Sequence, residues 1–295
     1  MGVRVITDST SYIPEEMSKG LPISFVSLTA TLGGVTRREI DMSHEETEAF
    51  YQQMMDTGEF PTSSQPSVAE LLEAFEAPVA EGHEVVGVFI SRLMSGTLAT
   101  AEMAREQVLD RHPGARIELV DSRSNSMEIG FSALAAARAA AEGGSVDDVV
   151  AAAEHMVART RWYFVPATLD YLRMGGRIGA ASALLGSVLD IKPILTVRNG
   201  VTDSVKKVRT RQRALSEIAD IVAADIAAKG LGDIVVHHIH DEDAARHLAG
   251  LLQEKTGHAP RIIPLGVVVG LHVGPGSLGV VYWTQEEQHK DTEKA

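Results

Sequence analysis

The spacing of apolar and polar positions predicts an α/β protein in which strands and helices alternate. Short runs rich in valine and isoleucine, of the kind buried in parallel sheets, indicate strands. We expect strands at residues 3–7, 23–32, 84–90, 116–120, 162–165, 191–197, 201–208, 233–239, 261–269 and 278–283. Stretches with helical periodicity predict helices at residues 44–55, 68–75, 98–110, 127–142, 146–159, 180–189, 212–229 and 243–255.

The order of these elements favours two α/β units rather than one. We place the domain change at the end of the helix that follows Ser145, so that residues 1–159 form one domain and residues 160–284 the other. In the second unit, Asn199-Gly200 is a strong hairpin signal between two strands. Residues 285–295 are charged and have little apolar surface to bury, which predicts a tail.

Composition excludes several classes of protein. The formal net charge of −13 argues against a nucleic-acid scaffold, because neutralising phosphates requires a basic face. The chain has no cysteine, which excludes disulfides, thiolate nucleophiles and cysteine-based metal sites. The start lacks a signal-peptide pattern, and no segment offers the ~18 consecutive apolar residues of a membrane span. We therefore expect a cytoplasmic protein with no stable membrane insertion.

Hydroxyl-rich turns follow three of the predicted strands. They begin at Asp8, Ser91 and Asp121, and the carboxyl ends of strands in an open α/β sheet meet at one rim, where ligands bind. Asp-Ser pairs can hold a cation or a phosphate, but they are also ordinary turn residues, which is the favoured interpretation here. Neither a phosphate-binding glycine loop nor a Gly-x-Ser-x-Gly elbow is present.

A group of histidines at residues 237, 238 and 240 resembles a metal site at first sight. Strand periodicity places His238 and His240 on one face and His237 on the other, so at most two imidazoles converge. Asp241 and Asp243 are better explained as the start of the next helix, where carboxylates favour the positive end of the dipole. The pattern favours a solvated strand end over a metal site.

Ser95 and His272 are the strongest candidates for ligand contact. His272 lies among four glycines after the apolar run Val267–Val269, which we interpret as a strand end whose backbone can approach a ligand. Ser95-Gly96-Thr97 opens a helix, where the serine hydroxyl and the free first-turn N–H groups form an anion site or an ordinary cap. With Ser63, they offer two neutral donors and one switchable cation, a set that matches one carboxylate.

Basic residues are concentrated in one stretch of this acidic chain. Such a run is usually a solvated face, but it can also steer a partner or bind phosphate. The residues are Arg173, Arg177, Lys192, Lys206, Lys207, Arg209, Arg211 and Arg213.

Six separated motifs resemble the DegV family of bacterial fatty-acid-binding proteins, in the family's order and over nearly the whole chain. They are Thr-Asp-Ser-Thr at residues 7–10, Ser-Ser-Gln-Pro-Ser at 63–67, Met-Ser-Gly-Thr at 94–97, Gly-Gly-Arg-Ile at 175–178, Ile-Lys-Pro-Ile at 191–194 and His-Val-Gly-Pro-Gly at 272–276. The resemblance implies an N-terminal three-layer parallel-sheet domain and a C-terminal two-layer mixed-sheet α/β domain.

The resemblance also implies a binding subunit rather than an enzyme, with no cofactor and no metal. A long-chain fatty acid of the palmitate or oleate class would lie between the domains. Its carboxylate would be bound by Ser63, Ser95, Gly96 and His272, with Thr62 as the alternative to Ser63, which replaces the family's more usual threonine. A separate ATP-dependent kinase subunit would dock near Arg173, Arg177 and Arg209 and make acyl-phosphate for phospholipid synthesis.

Two alternatives stay open at the level of sequence. The fold resembles the substrate-binding subunit of dihydroxyacetone kinases, in which a histidine, here His272, would hold a small carbonyl substrate covalently. The second alternative is a lipid carrier without a kinase partner.

Overall fold

Three β-sheets and their covering helices make up residues 2–185 and 191–287, the part of the chain that the computed structural model describes. The strands are β1 (Val3–Asp8), β2 (Ile23–Val26), β3 (Thr29–Leu32), β4 (Val35–Arg38), β5 (Thr62–Ser64), β6 (Glu84–Phe89), β7 (Ile117–Asp121), β8 (Thr160–Val165), β9 (Lys192–Arg198), β10 (Val201–Val208), β11 (Leu231–His238), β12 (Arg261–Pro264) and β13 (Leu278–Thr284). The α-helices are α1 (Glu15–Ser18), α2 (His44–Thr57), α3 (Val68–Ala80), α4 (Thr97–Arg111), α5 (Met127–Ala141), α6 (Val146–Arg159), α7 (Asp170–Met174), α8 (Arg211–Lys229), α9 (Glu242–Thr256) and α10 (Val267–Val273).

The first sheet is parallel and is covered on both faces. Its strands lie in the order β2-β1-β6-β7. Helices α3 and α4 cover one face, where Phe75 packs against Phe89. Helices α5 and α6 cover the other face through Ile129 and Val149. The nearly continuous apolar run of β6 therefore reflects burial from both sides, and the expected three-layer arrangement is confirmed.

A small antiparallel sheet, in the order β4-β3-β5, differs from the sequence prediction. Residues 23–32 do not form one strand, because the chain leaves the first sheet after β2 and enters the small sheet at β3. Between them, the Ser27 N–H donates to Glu70 Oε1 and the Leu28 N–H to Ser9 Oγ, each at 3.1 Å. Side chains distant in sequence thus cause the break, and residues 62–64, for which the sequence predicts neither a strand nor a helix, supply β5.

The third sheet is mixed and lies in the order β10-β9-β8-β13-β11-β12. Strands β11 and β12 are parallel, and the other pairs are antiparallel. The hairpin predicted at Asn199-Gly200 is present, with φ of 52° and 85°, the left-handed values that its turn requires. Helices α8 and α9 pack on one face, so this half has two layers, as expected.

The other face of the mixed sheet packs against the amino-terminal half. Trp162 and Phe164 of β8 stack with their ring centroids 5.1 Å apart and share a core cluster with Met127 and Phe131 of α5. Apolar side chains of the two halves therefore share one core cluster. Among the helices of the described ranges, none is both long and apolar enough to cross a membrane.

The segment 261–269 is not a single strand, as the sequence predicts. β12 ends at Pro264, and the valine run opens α10. β-Branched residues disfavour a helix on their own. Here the Val268 N–H donates to Glu39 Oε1 at 2.8 Å and the Val269 N–H to the Tyr12 phenol oxygen at 3.1 Å. These acceptors lie 229 and 257 positions away, so no local pattern reveals them.

Two predicted segments fall partly outside the described residues. Of the helix predicted at 180–189, residues Gly179–Leu184 form a 3₁₀-helix, and residues 186–190 lie outside the description. Of the predicted tail at 285–295, residues 285–287 are described, and the Gln285 N–H donates to the Gly230 carbonyl at 3.0 Å. The division of the chain at residues 159 and 160 stays a prediction.

Candidate ligand-binding site

A cavity of about 60 Å³ lies between the two halves of the molecule. One part of its lining is polar and contains Ser63, Ser95, Arg177 and His272. The rest is mainly apolar and includes Leu28, Ile90, Trp162, Phe164, Leu172, Val268, Val269 and Val273. A cavity with a few polar groups at an otherwise apolar wall suits a ligand with a polar head and an apolar body.

Ser63 and His272 meet across the two halves. Strand β5 carries Ser63, the last turn of α10 carries His272, and Ser63 Oγ lies 2.9 Å from His272 Nε2. The other ring nitrogen, Nδ1, is buried and has no hydrogen-bond partner among the described residues. A Cβ on Gly175 would lie 2.2 Å from that nitrogen, so glycine is required where the imidazole packs.

The His272 imidazole is neutral at neutral pH. Burial, assisted by the nearby positive charge of Arg177, lowers the pKa of His272 to about 4. In the protein without ligand the ring is therefore neutral, and its role as a switchable cation stays a prediction. A carboxylate placed beside the ring would shift the pKa upward again, because an opposite charge favours the protonated form.

Ser95 lies just before α4 and lines the same cavity, whereas Gly96, which directly precedes the helix, is not among the lining residues. Ser95 Oγ accepts from the Thr97 N–H at 3.3 Å and lies 2.9 Å from Thr97 Oγ1. The serine thus accepts from the first N–H of α4 and also lines the cavity, while its role as an anion site stays a prediction. A Cβ on Gly96 would lie 3.0 Å from Nε2 of Gln65, another lining residue.

The structure distinguishes Thr62 from Ser63 by the alternation of strand β5. Successive side chains of a strand point to opposite faces. Ser63 is partly buried and lines the cavity, whereas Thr62 is exposed and is not part of the lining. Of these two candidates Ser63 is the one that borders the cavity, together with Ser64, the next residue of the strand.

Arg177 lies apart from the basic surface on which the sequence places it. It lines the cavity, where its Nε donates to the Met94 carbonyl at 3.0 Å and its Nη1 to the Gly175 carbonyl at 2.5 Å. It carries the positive charge nearest to His272 in the described lining. Its role in partner docking stays a prediction, but its position makes it a neighbour of any bound head group.

The other basic residues divide into paired and unpaired groups. Lys206 and Arg213 each lie 2.6 Å from a Glu217 oxygen, and Arg211 lies 2.7 Å from Asp241. Arg173 is exposed, with a long 3.7 Å approach to the carboxylate of Asp170. Arg209 is exposed and has no ion pair or hydrogen bond within the described residues. The run is therefore not one uniform positive face.

The histidines near residue 238 form no metal centre. His237 and His238 are buried, so the prediction of a solvated strand end is wrong. His240 Nδ1 pairs with Glu48 Oε2, and Asp241 caps α9 by accepting from the Ala244 N–H at 3.3 Å. Within the part of the chain that the structure describes, no group of three or more metal-ligating side chains comes together.

The hydroxyl-rich turns do meet at one rim of the first sheet. Asp8 Oδ2 accepts from the Ile90 N–H at 2.8 Å, which ties the ends of β1 and β6 together. Asp8 Oδ1 accepts from the Thr10 N–H at 3.0 Å, and Asp121 Oδ1 from the Arg123 N–H at 2.8 Å. These carboxylates serve as turn acceptors, in agreement with the structural interpretation of both Asp-Ser pairs.

Sequence reasoning does not identify the apolar wall of the cavity. Trp162, Phe164 and Leu172 look like ordinary core positions in sequence, and their place at the cavity follows from packing of the two halves. Asn125 and Thr202 also line it without any local motif. The Gly-Gly-Arg-Ile sequence, however, was a signal for Arg177, because Gly175 and Arg177 both contact the site.

Comparison with known proteins identifies one family that spans almost the whole chain. Residues 2–285 match the family model for DegV, described as an uncharacterised protein of the DegV family. A DegV domain-containing protein of Clostridium acetobutylicum is 43% identical over 286 residues, which cover 97% of this chain and 99% of that protein. This chain therefore belongs to the DegV family.

Two solved structures share the fold. A DegV family protein from Thermus thermophilus, described as binding fatty acid, matches with a TM-score of 0.84 and 31% identity over 96% of this chain and all of that one (100%). DegV from Bacillus subtilis, described as a fatty acid binding protein, matches with a TM-score of 0.82 and 31% identity over 96% of this chain and 99% of that one. The two-domain α/β class is confirmed.

Proposed function

We propose that this protein binds a long-chain fatty acid between its two halves, with the carboxylate at Ser63, Ser95 and His272. The observation that carries the proposal is the Ser63–His272 pair, 2.9 Å apart, in the lining of a cavity that combines polar groups with aromatic and aliphatic side chains. The relatives from Thermus thermophilus and Bacillus subtilis, both described as binding fatty acid, support the same ligand class.

Neutral donors and one nearby cation suit a carboxylate head group. The hydroxyls of Ser63 and Ser95 and a neutral His272 can donate hydrogen bonds, and such bonds strengthen when the acceptor is charged. Arg177 supplies positive potential at the same lining. Burial of the acyl chain, at ~0.8 kcal/mol per methylene, would dominate affinity, while the head group fixes orientation.

The acyl chain needs more room than the cavity offers. A volume of about 60 Å³ is far below the roughly 300–1,000 Å³ of pockets that enclose whole organic ligands. We infer that the chain enters between the mixed sheet and α5, where Trp162 and Phe164 face Met127 and Phe131. Binding then requires these apolar side chains to repack, and release should be slow for the same reason.

Geometry favours this reading over covalent capture of a small carbonyl substrate. A covalent adduct on Nε2 of His272 would displace Ser63 from that nitrogen, and Nδ1 is packed against Gly175, whereas a carboxylate can accept from the Ser63 hydroxyl while Nε2 donates to the serine oxygen. A hydrolytic Ser-His pair would also need a group that orients Nδ1, and no described residue bonds it. The site therefore fits hydrogen bonding to an anion better than nucleophilic chemistry.

We further infer a cytoplasmic role as the donor subunit of a two-component fatty acid kinase. The carboxylate would be presented to a separate ATP-dependent kinase subunit, with Arg173 and Arg209 as exposed cations for docking. A lipid carrier without a kinase is the alternative, and acyl-phosphate formation with a cognate kinase separates the two.

Native mass spectrometry of protein purified from a bacterial host tests the ligand directly. We expect a non-covalently bound ligand with a mass in the palmitate or oleate class, and we expect this ligand to be lost on denaturation. A mass that survives denaturation and maps to His272 would instead indicate covalent capture. Protein that stays free of ligand after incubation with excess oleate would contradict the proposal.

A further inference from the structure

The first turn of α10 is held by side chains from the amino-terminal half that do not line the carboxylate site. Glu39 Oε1 accepts from the Val268 N–H at 2.8 Å, and the phenol oxygen of Tyr12 accepts from the Val269 N–H at 3.1 Å. The Tyr12 O–H itself donates to Glu39 Oε1 at 2.9 Å. The carboxylate is therefore the centre of a hydrogen-bonded cap on this short helix.

Two glycines leave the space that this cap needs. A Cβ on Gly266 would lie 2.5 Å from Glu39 Oε1, and a Cβ on Gly270 would lie 1.7 Å from the phenol oxygen of Tyr51. The Tyr51 O–H donates to the Gly266 carbonyl at 2.8 Å. Close approach of side chains, rather than an unusual backbone angle, thus explains why glycine occupies both positions.

The cap and the carboxylate site are the two ends of one rigid element. α10 has seven residues, with Val268 and Val269 bonded at its start and His272 in its last turn. The same valines line the cavity with His272, and the ring of His272 is bonded to Ser63. We therefore expect that a change in the hydrogen bonds at the start of α10 moves the buried imidazole of His272 relative to Ser63.

We propose that Glu39 is a positioning residue for His272, because by capping α10 it fixes the imidazole against Ser63 and so sets how tightly the site retains a carboxylate. The inference rests on the proposed function. Glu39 is not part of the cavity lining, so it acts through the helix.

The ionisation of Glu39 gives this cap a pH dependence. Burial raises the pKa of Glu39 to about 7, against the hydrogen bonds from Ser9, Val268 and Tyr12 that favour the charged form. The ionised carboxylate complements the positive end of the helix, and protonation removes that charge. We expect α10 to be held more firmly above this pKa than below it.

Other titratable groups surround Glu39 and must be separated from it. The carboxyl of Asp8 and the phenols of Tyr12 and Tyr51 are buried, and burial raises the pKa of each. A neighbouring cavity of about 390 Å³ brings Glu39 together with Glu15 and His44, and the His240–Glu48 pair lies beyond Tyr51. His44 and His240 are the imidazoles of these neighbouring groups, so each needs its own control variant.

Release of bound oleate to albumin, followed over one pH unit on either side of the Glu39 pKa of about 7, tests the inference. For the wild type we expect release to slow by roughly 3- to 10-fold as the pH rises, the size of a charge effect at a helix terminus. Glu39→Gln keeps the acceptor but cannot ionise, so its profile should be flat relative to the wild type. His44→Gln and His240→Gln should keep the wild-type profile. Ionisation of oleate itself affects every variant equally, so it cancels when the profiles are compared.

A second readout does not depend on ligand. The nitrogen-15 signal of His272 Nε2 reports its hydrogen bond to Ser63, and Glu39→Ala should shift it while Glu39→Gln restores it. Glu70→Gln is the matched control, since Glu70 accepts from the Ser27 N–H without being bonded to α10. If Glu39→Ala does not fold, the pH profile of Glu39→Gln decides.

A Glu39→Gln variant with the wild-type pH profile, or an unshifted Nε2 signal in folded Glu39→Ala, overturns the inference. Failure of the proposed function gives a different pattern. In that case, His272→Ala would retain oleate as the wild type does, while the Nε2 signal would still respond to Glu39.

Discussion

The surroundings of His237 and His272 differ although the two imidazoles share the same unusual pKa. Burial lowers the pKa of each to about 4, and each has one buried ring nitrogen without a partner among the described residues. His237 Nδ1 is bonded to the backbone carbonyl of Ile263 at 2.8 Å, which strand β12 holds in place. His272 is instead bonded to the hydroxyl of Ser63, beside a cavity.

A lowered histidine pKa in this protein therefore indicates burial of the ring and does not by itself indicate a functional site. His237 packs edge-on against Trp162, with ring centroids 5.5 Å apart, and lies 6.5 Å from the ring of Tyr12. Its polar partner is fixed backbone, so it has nothing to offer a ligand. The partner of His272 is a hydroxyl that can rotate, and free volume lies beside it. Open space and an exchangeable partner distinguish the candidate site from the core.

The largest expected effect is on stability at His237. His237→Ala removes a fully buried ring and should lower the free energy of unfolding by about 3–4 kcal/mol, the usual range for truncating a large core side chain. Urea denaturation of ligand-free protein measures it. His272→Ala, whose ring already borders a cavity, should cost clearly less. Equal losses in the two variants would remove the distinction between core and site.

The sequence predicts the site better at its polar end than at its apolar wall. Ser63, Ser95 and His272 stand in short motifs of glycine and hydroxyl residues, which signal close approach and hydrogen bonding locally. Trp162 and Phe164 carry no such signal, because their role arises only when the two halves pack. The prediction of one strand at 261–269 is wrong for a related reason, since the valines of this segment form a helix whose first turn is capped by the distant residues Glu39 and Tyr12.

The stability of the folded protein should depend on pH through both histidines and through Glu39. The histidines' folded-state pKa of about 4 lies below the ordinary histidine value of 6.5, so the unfolded chain binds protons first and stability is lost as the pH falls from 6.5 towards 4. Glu39 has the opposite sign, because its raised pKa of about 7 adds stability as the pH falls towards 4.5.

From these three groups we expect a net loss of about 2 kcal/mol between pH 6.5 and pH 4.5, because the gain from Glu39 offsets the loss from one of the two histidines. His272→Asn or His237→Asn should remove most of that loss, because either substitution deletes one of the two imidazoles that lower the stability at acid pH. Urea midpoints at the two pH values measure it. A wild-type protein that is more stable at pH 4.5 would contradict the sign for the histidines.

Ligand retention should respond at the site and not in its neighbours. Ser63→Ala, Ser95→Ala and His272→Ala each remove a donor that we propose binds the carboxylate, and each should weaken retention by about 1–3 kcal/mol. Thr62→Ala is the matched control, because this exposed hydroxyl adjoins Ser63 in sequence but lies outside the cavity lining. Dissociation rates of oleate measure the effect. A loss in Thr62→Ala equal to that in Ser63→Ala would move the head group to the other face of β5.

The smallest expected effect concerns the exposed arginines, which should act on encounter with a kinase rather than on the ligand. Arg209 has no partner in the described ranges and Arg173 only a distant one, so their charges are available to a partner. Arg209→Glu should leave bound fatty acid intact and slow acyl-phosphate formation, most strongly at low salt, because rim charges govern association. At physiological ionic strength, salt screens exposed charges over about 8 Å, so the rate of the wild type should also fall as salt is added.

Two control variants separate docking from net charge and from the site. Arg246→Glu makes the same change in net charge on α9, where Arg246 pairs with Glu242, and should not slow the kinase reaction. Arg177→Glu places a negative charge in the cavity lining and should reduce retention of fatty acid as well as the rate of phosphorylation. If Arg209→Glu and Arg246→Glu slow the reaction equally, the effect is one of overall charge. The docking surface would then have to be sought elsewhere, while the carboxylate site at Ser63 and His272 would be unaffected, because it rests on the cavity and not on the surface charges.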